Sequence, residues 1–407
     1  MKKLTVLFVA LVMVFAALPA FAQDKADWAF YGHARMWTAW ESADENTLYG
    51  GSGGSAARGW NPGFGLPIQD DDNLAWELQT NARLGANVKW GNIGGTVEFG
   101  NAGGAGGVDF GTTWRLMYGT WNFGPGTLLV GKDYTPYFFI VSGMCGPGGG
   151  ECNGIGWGTI YGQRRAQLKL TMGGFKFALV DPTSDLAPWD STTAVTVAGR
   201  TTVLPLGVND YDQTLPRIEA SYTFNLGPAA LFIGGMYNTY DMEIARAAGV
   251  QDISGDSFVL GLGAKTAFGP FYANASFQYG QNVGQIGMPT NLLYTRQMVD
   301  GVTFAEEDAD YMAAQLILGF KVTDAFSLEG GVVWQNAELD VPNVAQSTSV
   351  EQDTYAYYIQ AVWSPAKNFF IVPEFGIINN GDLDISGQDQ EDLGDVTWFG
   401  IKWQINF

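Results

Sequence analysis

A single histidine, His33, stands in the 407 residues. Chemistry that needs an imidazole therefore rests on one side chain with no nucleophile beside it. A Ser-His-carboxylate hydrolase is the enzyme alternative, and nothing singles out its serine. Only two cysteines are present, Cys145 and Cys152. Without further Cys or His close by, they make neither a thiolate zinc site nor a haem attachment site. Walker and dinucleotide glycine motifs are missing, which leaves nucleotide chemistry unsupported. Asp382, Asp384 and Ser386 open a stretch like a calcium loop, but Leu393 occupies the position that needs a bidentate Glu. No cofactor and no metal are expected. Basic residues are also scarce, 21 Lys and Arg against 41 Asp and Glu, for a net charge of −20. A chain so acidic is not expected to bind nucleic acid. Its acids gather in irregular stretches such as 70–72, 306–308 and 389–392, as solvated loops do.

Long apolar runs are lacking too, with one exception at the N-terminus. Lys2 and Lys3 precede an apolar run over 4–18, and Ala20-Phe21-Ala22 supplies a small-x-small cleavage site. Residues 1–22 read as a secretory signal peptide, since the apolar run over 4–18 is short for a membrane span, which needs about 20 residues. Removing Lys2 and Lys3 takes the net charge from −20 to −22. In an exported chain, Cys145 and Cys152 read as a disulfide. It would close a short loop and constrain the unfolded chain by about 2.5 kcal/mol.

The whole chain is 46% hydrophobic and 14% aromatic, so its apolar residues must be dispersed. They are dispersed by alternation. Over 74–90, Leu74, Trp76, Leu78, Leu84, Val88 and Trp90 fall on one side, while Glu77, Gln79, Asn81, Arg83 and Lys89 fall on the other. Only an extended strand separates them this way. At about 3.3 Å per residue it would span on the order of 55 Å, far beyond a strand of common length. A long strand with Trp near both ends of its apolar face predicts lipid outside and water inside. The alternative is a long edge strand of a soluble β-sandwich.

The same pattern recurs at 28–40, 93–100, 110–122, 127–132, 164–172, 175–180, 217–224, 230–240, 257–268, 271–282, 311–322, 326–337, 355–363, 369–378 and 396–407. With 74–90 these make sixteen strands, joined by seven tight turns that alternate with eight longer loops. The expected fold is an all-β, transmembrane, antiparallel up-and-down β-barrel, one domain over 23–407, with long extracellular loops and short periplasmic turns. Fourteen or eighteen strands follow if one hairpin is split or missed, since 110–122 and 230–240 alternate poorly.

The last strand carries Phe399, Ile401, Trp403, Ile405 and the terminal Phe407 on one face. With the leader and sixteen strands, this resembles a Gram-negative general porin over the whole mature chain. Val130-Gly-Lys-Asp-Tyr-Thr-Pro136 and Leu215-Pro-Arg-Ile-Glu-Ala-Ser-Tyr222 resemble porins of sulfate-reducing bacteria, a group described as homotrimeric. The resemblance implies a cell outer-membrane location among lipids and lipopolysaccharide, passive diffusion of small hydrophilic solutes and ions, and a homotrimer. It also implies that Phe407 serves as the signal to the barrel assembly machinery. The third long loop, 133–163, would fold inward as a constriction loop, and its content of Tyr134, Tyr137, Phe138, Phe139 and Trp157 suits a packed segment. The second loop, 101–109, is short and glycine-rich, which puts in doubt the latch that such trimers use. A substrate-selective channel of the same fold and a structural or surface-interaction barrel are the alternatives. A lumenal row of aromatics would favour a sugar channel, but Tyr272 and Tyr358 alone do not make one.

Alternation also places Arg35, Arg83, Lys89, Arg115, Arg165 and Lys169 on the lumenal side. Facing lipid near mid-membrane, each would cost roughly 2 to 4 kcal/mol. They could be scattered charges, each solvated alone. By resemblance, Arg35, Arg83 and Arg115 match an arginine row opposite the constriction loop, whose acids are Asp133 and Glu151.

Overall fold

The computed structural model describes residues 26–407 apart from 45–70, 102–111, 155–157, 183–192, 198–199, 205–207, 247–248, 289, 291, 293–296, 300–305, 342–347 and 386–390. The leader, Trp157, most of the first loop and nearly all of the second lie outside the described residues.

Sixteen antiparallel wall strands follow one another around a closed barrel. The first six are β1 (Asp27–Ala43), β2 (Asp71–Leu78 and Arg83–Trp90), β3 (Ile93–Asn101), β4 (Thr112–Asn122), β5 (Thr127–Tyr134) and β6 (Arg164–Met172). Five more are β7 (Phe175–Val180), β8 (Arg217–Leu226), β9 (Ala229–Arg246), β10 (Gly249–Phe268) and β11 (Phe271–Gln281). The last five are β12 (Ala309–Thr323), β13 (Phe326–Val341), β14 (Thr348–Ala366), β15 (Phe369–Asn379) and β16 (Asp395–Asn406). β1 pairs with β2 on one side and with β16 on the other, from His33↔Asn406 to Ala43↔Val396. Closure leaves no open edge. Gly32 and Phe407 exchange both of their backbone hydrogen bonds at 2.9 Å, so the terminal residue is itself part of the seam. Tight turns join β2 to β3, β4 to β5 and each later pair in step. At the turns after β6 and β10, Gly173 (φ 58°) and Gly269 (φ 60°) take left-handed conformations that a side chain would oppose.

Outward faces are apolar all the way round: Phe30, Trp76, Leu84, Leu168, Leu231, Leu260, Leu318, Ile359, Phe399 and Ile405 are among the exposed large side chains. Such a belt is what a bilayer would cover. No helix among the described residues is long and apolar enough to cross a membrane, and a barrel crosses with strands instead.

Two local departures correct the expected pattern. The stretch 74–90 is not one uninterrupted strand: Leu78 pairs with Met36 and Arg83 with His33, so the four residues 79–82 stand against two on β1. The excess is two residues, an even number, so inward and outward positions keep their phase and the sequence reads as continuous. In β4 the excess is one. Glu98 pairs with Leu116 but Phe99 with Trp114, which leaves Arg115 as a bulge residue and breaks the alternation there.

The other poorly alternating stretch, in β9, has a different cause. Phe232, Met236 and Tyr240 face inward and are buried. Inside the barrel they meet protein instead of water. Tyr137, Phe139, Val141, Met144 and Ile160 of the third loop form one apolar cluster with Phe232 and Met236 and with Trp37, Val259, Tyr311, Ile317, Val333, Tyr358 and Trp398 of the wall, while the Tyr240 hydroxyl is hydrogen-bonded to Gln285 and Gln297.

Candidate functional site in the barrel lumen

The chain between β5 and β6 turns inward and crosses the lumen. Asp133, expected at the start of this loop, is still paired within β5, so the loop proper runs over 135–163. Two inward glycines of β10 make room for it. A Cβ on Gly261 would lie 2.5 Å from the Tyr137 hydroxyl, and one on Gly263 would lie 2.3 Å from the Phe139 ring. At its tip Cys145 and Cys152 are joined by a disulfide, and Gly149 between them stands against the Trp37 ring. The Gln79 amide, in the break of β2, donates to Cys152 Sγ at 3.0 Å and also to the Gly149 carbonyl.

Four wall carboxylates hold the loop, none of them singled out by the sequence. Glu374 of β15 accepts from the backbone N–H groups of Cys145 and Gly146, each at 2.8 Å, and from the Trp398 indole at 2.8 Å. Glu41 of β1 accepts from Gly148 N–H at 2.6 Å, Glu219 of β8 from Tyr137 N–H at 3.0 Å, and Glu329 of β13 from the Ser142 hydroxyl at 2.9 Å. Tyr272 and Tyr358 also donate to Glu329, each at 2.8 Å. Both are donors to a buried acid. Each anchor fills acceptor sites that would otherwise be buried without partners.

A second segment also folds in. Between β11 and β12, Val283, Ile286, Met288 and Leu292 are buried and join the same apolar cluster. Only the position of its side chains reveals this, because the segment has no distinctive pattern in sequence.

The sequence-selected charges sit on the opposite side of the lumen, along β1 to β6. Glu98 of β3 lies between two of them: it accepts from Arg115 Nε at 2.9 Å, from Arg83 Nη1 at 3.2 Å and from the Tyr31 hydroxyl at 2.9 Å. Arg115 Nη1 also reaches Glu151 of the loop at 2.6 Å. Arg164 binds Glu151 through both terminal nitrogens, at 2.6 and 2.7 Å, and lies over the Tyr134 ring. Asp133 pairs with Lys169. Arg165 donates to Gln163 Oε1 at 3.2 Å, and His33 accepts from Arg83 Nε at 2.9 Å. Arg35 differs from the rest. Its Nε is buried without a hydrogen-bond partner, and it forms no ion pair among the described residues. Lys89 lies nearer the turn end of β2, beside Trp90, and outside this network.

The expected balance of arginines on the wall against Asp133 and Glu151 on the loop is therefore incomplete. Glu98 and Arg164 belong to the network as well. Glu98 shares the inward parity of Thr96 and so had a visible signal, whereas Arg164, next to the inward Arg165, has the opposite parity and is revealed only by its contact with Glu151. Burial by itself would raise the Glu151 carboxyl, but the hydrogen bond and charge of Arg164 and the charge of Arg115 outweigh it and hold it at about 2.

Exposure divides the lumen in two. Side chains of Arg83 (21%), Glu151 (19%), Arg164 (17%) and Asp133 (15%) retain access to water, whereas Arg115 (1%) and Glu98 (2%) behind them, and Arg217 (1%) and Glu219 (0%) across the lumen, do not. Water reaches the β1–β6 wall. Across the lumen, Arg217 and Glu219 are packed against the two loops.

Neither a family model nor a curated protein matches the chain. Solved structures do. The outer membrane channel DcaP of Acinetobacter baumannii superposes with a TM-score of 0.59 at 16% identity, covering 96% of this chain and 100% of that one. OmpT of Vibrio cholerae, an outer membrane protein folded in vitro in a trimer form, gives 0.52 at 13% identity, covering 94% and 100%. An OmpT variant lacking its eighth loop gives 0.53 at 14%, with 94% and 100% covered. At such identities the likeness is one of fold, and the chain has the closed sixteen-stranded barrel architecture found in outer-membrane channels.

Proposed function

We propose that this protein is a porin of the Gram-negative outer membrane, exported by its leader, through which small hydrophilic solutes and ions diffuse passively. The observation that carries this reading is the water-accessible strip along β1 to β6. Arg83, Arg164, Asp133 and Glu151 keep access to water there, Arg115, Lys169 and Glu98 are buried behind them, and with Arg35 and Arg165 the six basic groups face three acidic ones, a surplus of three positive charges. A narrow path lined this way favours anions, because field lines are focused where the lumen is tightest. The acidic loops lie further out. At a Debye length of about 8 Å in physiological salt their field is largely screened before it reaches the strip. Lipid and lipopolysaccharide cover the apolar belt, and a homotrimer is the assembly that the resemblance to porins of sulfate-reducing bacteria supports. A structural barrel that conducts nothing is the second reading, which the heavily filled lumen favours.

Reversal potentials across a KCl gradient in planar bilayers separate the two. Weak anion preference is expected at moderate salt, with a shift toward cations near 0.01 M, where the Debye length grows to about 30 Å and the acidic mouth is felt. Replacing both Arg35 and Arg83 by Gln should abolish the moderate-salt preference. Absence of any conductance favours the structural barrel, and an unchanged reversal potential in the double variant removes these arginines from the ion path.

A further inference from the structure

Arg217 and Glu219 occupy neighbouring inward positions at the loop end of β8, and both are fully buried. The Arg217 guanidinium divides its donors between the two infolded segments. Nη2 donates to the Gly162 carbonyl of the third loop at 2.9 Å, and Nη1 donates to the Ile286 carbonyl of the segment after β11 at 3.1 Å. Glu219 Oε1 stands 2.6 Å from Nη2 as a charge partner, while its Oε2 accepts from Tyr137 N–H at 3.0 Å. One more bond joins the segments directly, from the Gln163 amide to the Gly287 carbonyl. The second segment is seated on bare wall: a Cβ on Gly280 would lie 2.8 Å from Val283 Cγ1.

We propose that Arg217 and Glu219 are positioning residues that clasp the two segments together, closing the apolar half of the lumen and confining ions to the basic strip. This rests on the channel reading above. The physical argument is one of alternatives. A guanidinium taken out of water needs acceptors for its fork of donors, and here two of those acceptors are main-chain carbonyls of different segments. Losing it strands both carbonyls and the Glu219 charge in a buried place, so the arrangement that recovers hydration is one in which the segments part and water enters between them. A second aqueous route along β8 to β11 would bypass the arginines. Conductance would rise while selectivity falls, a combination that neither a narrowed pore nor an unfolded barrel produces.

The experiment uses the full-length barrel with Arg217→Ala, Glu219→Gln and, as a milder cut, Gln163→Ala. Each is checked for heat-modifiable electrophoretic mobility as evidence of a folded barrel. For Arg217→Ala a conductance increase of about twofold or more is expected, with the anion-to-cation permeability ratio falling toward one. A change in the same direction and of smaller size is expected for Gln163→Ala. A readout independent of conduction is the rate at which a water-soluble maleimide labels Val259→Cys, which lies in the apolar cluster behind the segments. Labelling should be slow in the otherwise native barrel and at least about tenfold faster once Arg217→Ala is added, as expected for a site released by local opening. If the native barrel does not conduct, the channel reading fails, and the labelling rates alone judge the clasp. Folded Arg217→Ala with unchanged labelling and unchanged current overturns it. Should Arg217→Ala fail to fold, unchanged labelling and current in folded Gln163→Ala and Glu219→Gln overturn it equally.

Discussion

At the residue scale the lumen is governed by a few carboxylates with two different duties. Glu41, Glu219, Glu329 and Glu374 receive donors of the third loop and fix where it lies. Glu98 and Glu151 instead balance the arginines beside the water-accessible strip. For Glu151 this leads to a prediction about acid. Its folded pKa of about 2 is depressed from the ordinary 4.5, so the anchoring it contributes is fully present above about 4.5 and is lost as pH falls through about 2. Protease resistance of the third loop and anion preference should therefore be the same at pH 7 and just above 4.5; toward 2 the resistance should decline while the anion preference rises. Glu151→Gln removes the charge at every pH. It leaves two guanidinium groups short of a partner, weakens the loop's hold by about 3 kcal/mol and raises anion preference. An unchanged reversal potential in Glu151→Gln would show that this carboxylate does not border the ion path.

At the element scale, the third loop and the strands beneath it are complementary in shape as well as in charge. Large rings sit over inward glycines on neighbouring strands: Phe139 over Gly263, Trp398 over Gly376, Tyr358 over Gly331 and Trp37 over Gly400. Because the Phe139 ring lies 2.3 Å from where a Gly263 Cβ would stand, Gly263→Val cannot be accommodated by a small adjustment. It should lift this part of the loop from β10, at a cost of about 1 to 3 kcal/mol. Limited proteolysis of the folded barrel is the check, and cleavage within 135–163 should be faster than in the native chain. The barrel wall itself should survive, since Gly263 lies within the ladder and a β-branched residue suits a strand. Equal resistance to cleavage would mean that the loop tolerates displacement without loosening.

For the molecule as a whole, stability depends on closure. The seam between β1 and β16 ends in the paired backbone groups of Gly32 and Phe407, and the Phe407 side chain is exposed on the outer face. Removing Phe407 opens that last step of the ladder and also takes away the terminal aromatic proposed as the assembly signal. Outer-membrane levels of the deletion should fall, with the chain recovered as periplasmic aggregate or fragments. A Phe407→Tyr change keeps the backbone and the ring and should restore assembly. Native levels of folded deletion in the outer membrane would remove the proposed role.

How far the sequence carried this architecture follows from one period. Side chains alternate between lipid and interior in every strand, so strand number, order, turn side and the inward direction of Arg35, Arg83 and Lys169 could be read without coordinates. The apolar belt was a local property of composition and was equally visible. What alternation cannot report is the content of the interior. A residue facing inward can meet water, an ion partner or another loop, and Phe232 and Met236 broke the pattern because they meet the third loop, as Tyr240 did because it meets Gln285 and Gln297. Arg115 broke it because a one-residue bulge changes phase, whereas the two-residue excess at 79–82 passed unnoticed because it does not. The pairing of Glu98 with Arg83 and Arg115, the anchoring of a loop on Glu374, and the clasp of two segments by Arg217 join residues far apart in sequence. Periodicity along one strand fixes which face a residue is on, and only the tertiary structure decides what stands opposite.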